Sequence, residues 1–126
     1  MRLRIGPERY TPLPDGLYRV VVISIFDTRW EPYGPALEWV FEVAEGPFIG
    51  CQVKGKMNKG NGLGKRQKFS RWYYTITGRW LKEGDDVETD ELIGKSCWAQ
   101  ITRKISSTKK PANHIDLVAE ADAHSG

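Results

Sequence analysis

A mainly β fold with one helix is predicted by three observations: runs in which apolar and polar residues alternate, one stretch where the period lengthens to 3.6, and turn residues that separate them. Residues 36–46 (ALEWVFEVAEG) give the clearest strand. Leu37, Trp39, Phe41 and Val43 fall on one face, with Glu38, Val40 and Glu42 on the other. The helix is read from Phe69, Trp72, Tyr73, Ile76 and Trp80, which stand at i, i+3, i+4, i+7 and i+11. With 126 residues the chain is long enough to form one domain around a core, without disulfide or metal support.

The other elements follow in chain order. The turn Pro14-Asp15-Gly16 opens a β-branched strand over 17–26 (LYRVVVISIF), and the Pro- and Gly-rich residues 27–35 (DTRWEPYGP) predict a loop. After the second strand, Glu45-Gly46-Pro47 turns the chain into a third, within 49–58 (IGCQVKGKMN). There Cys51, Val53 and Met57 face inward and Gln52, Lys54, Lys56 and Asn58 face solvent. The helical stripe is a core stripe, with Gly78 loosening or ending the helix. In 84–95 (GDDVETDELIGK), Thr89 is expected to cap a turn, with Asp90 and Glu91 at its positive end and Gly94 closing it. Two more strands, 95–105 (KSCWAQITRKI) and 113–121 (NHIDLVAEA), flank a loop at 106–112 (SSTKKPA). Residues 1–13 and 121–126 are expected to be flexible ends of this single domain. Strand, strand, strand, helix, strand, strand is the order of a five-stranded Greek-key OB-fold barrel with its helix between strands three and four.

Charge points to a partner. Between residues 51 and 72 stand seven basic side chains and no acidic one, while the other 104 residues hold 12 basic and 16 acidic. A net charge of +3 conceals this local field of one sign, which suits a polyanion. At the middle of the segment lies GNGLGKR, residues 60–66. It is not a nucleotide loop: three residues rather than four separate Gly60 from Gly64-Lys65, Arg66 stands where a Ser or Thr would bind magnesium, and no GxGxxG spacing is present. It reads instead as a basic connector whose glycines let the backbone follow a sugar-phosphate chain.

In an OB-fold, ligands lie across strands two and three between the loops joining strands one to two and four to five. The first loop offers Arg29, Trp30 and Tyr33; the second offers Lys109 and Lys110, with Arg103 and Lys104 beside it. Strand three and the connector add Lys54, Lys56, Lys59, Lys65, Arg66 and Lys68. Rings that stack on bases and cations that neutralise phosphates are what single-stranded nucleic acid requires, and such binding is largely sequence-independent. Trp30 and Tyr33 serve either as stacking rings or as the cap of the barrel end. Trp98 either faces outward near the groove or enters the core, to which Trp39, Phe41 and Trp72 are assigned. Glu38 and Glu42 shift the expected path toward strand three and the loops.

The segments LPDGLYRVVVISIF, LEWVFEVAEGPFIG and DELIGKSCWAQI carry a resemblance. Pro14, Gly16 and Tyr18, then Gly46, Pro47, Phe48 and Gly50, then Leu92 to Lys95, resemble a family of small phage and plasmid proteins long described as a domain of unknown function. That family has an OB-fold and is associated with single-stranded DNA binding. The resemblance spans residues 13–105, rests on turn and packing motifs, and implies a role in DNA replication or recombination. It departs from replication-type single-stranded DNA-binding proteins at the end of the chain, where residues 119–126 hold two acids and no apolar tip.

An enzyme is not expected. Asp85, Asp86, Glu88, Asp90 and Glu91 lack the calcium-loop pattern, Cys51, Cys97, His114 and His124 lack zinc spacing, and no nucleophile–base pair stands out. Neither catalytic residues, a metal nor a cofactor is therefore expected. Two cysteines and the lack of a long apolar run suit a cytoplasmic protein without membrane contact, in a host cytoplasm if phage-encoded. The expected partner is single-stranded DNA, with RNA in the same physical class, beside a homo-oligomeric copy or replication and recombination proteins. The rival is an OB scaffold that binds protein through exposed aromatics and no nucleic acid.

Overall fold

A computed structural model describes residues 13–31, 34–58, 68–105 and 111–118. Five strands, β1 (Gly16–Trp30), β2 (Gly34–Val43), β3 (Gln52–Asn58), β4 (Ser96–Ile105) and β5 (Pro111–Val118), form one antiparallel sheet of order β3-β2-β1-β4-β5. One helix, α1 (Lys68–Thr77), follows β3, and a 3-10 turn, Thr89–Glu91, precedes β4. The expected flexible ends lie outside the described residues except at Leu13. That residue is buried, and its backbone is tied to the Asn113 amide by two hydrogen bonds of 2.8 and 3.0 Å.

β1 organises the sheet because it bends. Its first half pairs with β4, from Gly16↔Ile101 to Val21↔Ser96, and its second half with β2, from Val20↔Val43 to Trp30↔Gly34. The register shifts between Val22 and Ser24, where an extra residue turns the strand from one neighbour toward the other. Val22 is held there by its N–H to Lys95 O and by the Gly94 N–H to its own carbonyl. Gly94 takes φ +85°, a left-handed conformation that glycine adopts without strain.

The inward faces of β2 and β3 are as expected at Leu37, Trp39, Phe41, Val43, Val53 and Met57, all buried, with Gln52, Lys54 and Asn58 exposed; Val40, expected on the outer face, is buried too, and Cys51 is only half-buried. The helix delivers Phe69, Trp72 and Tyr73 to the same core. Trp72 meets Trp39 edge-on at 5.1 Å and Phe41 at 5.5 Å, and its indole N–H donates to Asp116 Oδ1 at 2.8 Å. β3 and β5, the two edges of the sheet, converge on this ring. A Cβ on Gly55 would stand 2.9 Å from Ile115 Cγ2 and 3.0 Å from Trp72 Cη2, so glycine is what lets strand and helix approach.

Four expectations are corrected. Residues 27–35 are mostly not loop, since β1 runs to Trp30 and β2 starts at Gly34. Among the described residues β3 pairs with β2 only from Ala36 onward, so the proline stands beyond the end of that ladder. Trp80 is not in the helical stripe: Gly78, at φ +76°, ends α1 first, and Trp80 is exposed and stacked on Tyr74 at 4.1 Å. Thr89 is the first residue of its turn rather than the cap, a position Glu88 holds without a side-chain hydrogen bond. Pro111 and Ala112 belong to β5 rather than to the preceding loop. No helix among the described residues is long and apolar enough to cross a membrane.

Candidate functional site

Four cationic or protonatable side chains from three elements gather at one place. In the β4–β5 ladder Ile101 and Ile115 pair and are buried, so Thr102 and His114, the next pair, lie on the outer face, with Lys104 two residues further along. The first turn of α1 adds Lys68 and Arg71. Lys68 is half-buried, its ammonium 4.7 Å from the Trp72 ring centroid, a cation–π contact. Burial pushes the Lys68 pKa down, Arg71 and Lys104 push the same way, and Asp116 opposes them. His114 also sits below its ordinary value, first through burial and then through Lys104 and Lys68, again with Asp116 opposing. These groups share one field, and among the described residues Asp116 is the carboxylate that acts on both Lys68 and His114; it already accepts the Trp72 indole N–H.

The cluster lies at the roots of two basic segments. Lys68 starts α1 directly after residues 59–67, and Lys104 stands just before residues 106–110. Lys59, Lys65, Arg66, Lys109 and Lys110 fall in those segments and lie outside the described residues, as does Tyr33; for Trp30 the description stops at the backbone. Of the residues expected at the site, Lys68 and Lys104 are brought together.

The remaining described candidates stand elsewhere. Lys54 and Lys56 are on the solvent face of β3, but Glu38 is opposite Lys56 and its carboxylate lies 3.9 Å from the Lys54 ammonium, so this face is close to charge-balanced. Arg29, near the hairpin tip, is paired with Glu31, both side chains about 70% exposed; such a pair contributes little to stability and leaves little free charge. Arg103 holds the start of the fold: its backbone N–H donates to Asp15 Oδ1 at 2.6 Å and its Nε to Leu13 O at 3.3 Å. Sequence reasoning missed His114, which has no charged neighbour within its own strand run except Asp116, and left Arg71 in the basic count without a role.

Trp98 is half-buried on the outer face of β4, with the Arg19 guanidinium 5.5 Å from its ring. Beside them a depression of about 380 Å³ lies between the start of β1 and the β2–β3 turn, lined by Leu17, Tyr18, Glu45 and Phe48. A second depression of about 400 Å³ has Asp27, Asp85 and Asp86 with Lys82 in an otherwise largely apolar wall, a net excess of negative charge. Those carboxylates would repel a polyanion. Among the described residues no group of three or more His, Cys, Asp or Glu is arranged to hold a metal ion. Cys97 is buried, which pushes its thiol up to about 12 and keeps it an unreactive core residue. No family model and no curated protein matches the chain.

Proposed function

We propose that this chain binds single-stranded DNA, largely without regard to sequence, and protects or organises it in phage replication or recombination. The observation that carries the reading is the convergence of Lys68, Arg71, Lys104 and His114 near Asp116, at the roots of two basic segments. The topology supports an OB-type barrel as the scaffold. β1 pairs with both β2 and β4, and the edges β3 and β5 approach at Gly55 and Ile115, as a partly open five-stranded Greek-key barrel requires. In such a barrel the β4–β5 loop borders the ligand path, and the basic connector after β3 leads directly into Lys68, so this cluster and the two basic segments act on one strand of phosphates.

The test is a titration of the protein with fluorescent oligo-dT and with the matching duplex at two salt concentrations, following anisotropy and tryptophan emission. The expected result is preferential binding to the single strand, with log K falling against log salt by about 0.7 per phosphate neutralised and with emission quenched by stacked bases. Absence of binding to either at low salt sinks the reading.

One observation favours the rival, a protein-docking module. Tyr74 and Trp80 stack on the surface, 37% and 48% exposed, beside Arg79, whose guanidinium donates to the Tyr73 hydroxyl and lies in the field of Asp85 and Glu91. Exposed Trp, Tyr and Arg in mixed charge suit a protein partner better than a polyanion.

A further inference from the structure

Resting on that reading, we infer that the depression formed by Leu17, Tyr18, Arg19, Glu45, Phe48 and Trp98 accepts one base of the bound strand, away from the phosphate cluster. Its chemistry differs from that of the cluster. Aromatic and aliphatic side chains supply most of the wall, and the two charged groups, Arg19 and Glu45, are of opposite sign. A balanced site of this kind has no preference for a phosphate and takes an uncharged flat ring, whose edge carries both donors and acceptors.

The parts are held in place. Tyr18 donates its hydroxyl to Pro14 O at 2.6 Å and meets Phe48 edge-to-face at 6.1 Å. Arg19 Nη2 donates to Ser96 Oγ at 2.9 Å, which fixes the guanidinium beside Trp98 and leaves its other N–H groups for a base edge. A volume of about 380 Å³ falls at the small end of the ~300–1,000 Å³ range of ligand sites, room for one nucleobase with part of its sugar.

Position links the two sites. Trp98, Gln100, Thr102 and Lys104 alternate along the outer face of β4, from the depression to the cluster. At about 3.3 Å per residue, the six steps from Trp98 to Lys104 span roughly 20 Å. A strand crossing that polar ladder keeps its phosphates on Lys104, Lys68 and His114 and reaches the depression with a base, within the ~4–16 nucleotides that one OB-fold covers.

The test compares the wild-type chain with W98L, which removes the ring and keeps apolar bulk. W98L is expected to bind oligo-dT about tenfold more weakly, in line with the loss of one stacked base, with an unchanged salt slope and reduced quenching. Because W98L could disturb packing, oligo-dT carrying 5-iodouracil is photo-crosslinked to the wild-type protein in parallel. Adducts on Trp98, Tyr18 or Phe48 support the inference. Wild-type binding with equal affinity and quenching in W98L, or crosslinks confined to other segments, overturns it and leaves the nucleic-acid reading standing. If the wild-type chain binds no oligo-dT, both fall.

Discussion

At the scale of single residues, His114 makes the proposed site sensitive to pH. Its folded pKa is lowered from 6.5, chiefly by burial and by Lys104 and Lys68, so it is neutral at pH 7. In the unliganded protein the unfolded chain takes up this proton first, and stability falls as pH drops from about 6.5 through the lowered folded value. A phosphate beside the ring reverses the preference by favouring the imidazolium. Affinity for oligo-dT therefore rises as pH falls from 8 toward 5.5, by no more than about tenfold per pH unit for one proton. An H114Q variant loses that dependence; an unchanged pH profile in H114Q would remove His114 from the site. Gly55 makes a second residue-scale prediction, about packing. Gly55→Ala forces a methyl against Ile115 and the rigid Trp72 ring and is expected to cost about 1–3 kcal/mol in urea unfolding. Wild-type stability in that variant would mean that the β3–β5 approach is looser than described.

At the scale of elements, what could be read from the sequence depended on whether the signal was local. β2 and β3 were legible because each has an apolar face, and burial followed it at Leu37, Trp39, Phe41, Val43, Val53 and Met57, although Val40 on the opposite face of β2 is buried as well. α1 was legible for Phe69, Trp72 and Tyr73, and failed at Trp80 because periodicity continues through a glycine that the backbone does not. The hairpin of β1 and β2 was misjudged because Trp30, Gly34 and Pro35 are turn-rich in composition. The pairs Arg29↔Pro35 and Trp30↔Gly34 nevertheless hold them in the ladder. The basic segment could be counted, but the meeting of Lys68 with Lys104 and His114 could not. It depends on β5 lying beside β4 and on Trp72 reaching Asp116, contacts between residues far apart in the chain. The bonds of Arg103 to Leu13 and Asp15 likewise join residues far apart in the chain and could not be read from composition.

At the scale of the whole molecule, charge is divided by region. The cluster at α1, β4 and β5 is positive, the β2–β3 face is paired through Glu38 and Lys54, and the cleft at Asp27, Asp85 and Asp86 is negative. Such a division orients a polyanion on approach as well as binding it, and salt weakens both effects. In the proposed binding mode Lys68, Arg71 and Lys104 neutralise phosphates of a single strand. The most direct measurement is the dependence of oligo-dT affinity on salt for the wild type and for the K68A/R71A/K104A triple variant, with circular dichroism confirming that both are folded. The slope of log K against log salt is expected to become shallower by up to about 2 in the variant, at about 0.7 per lost contact. Equal slopes in the two folded proteins would contradict it.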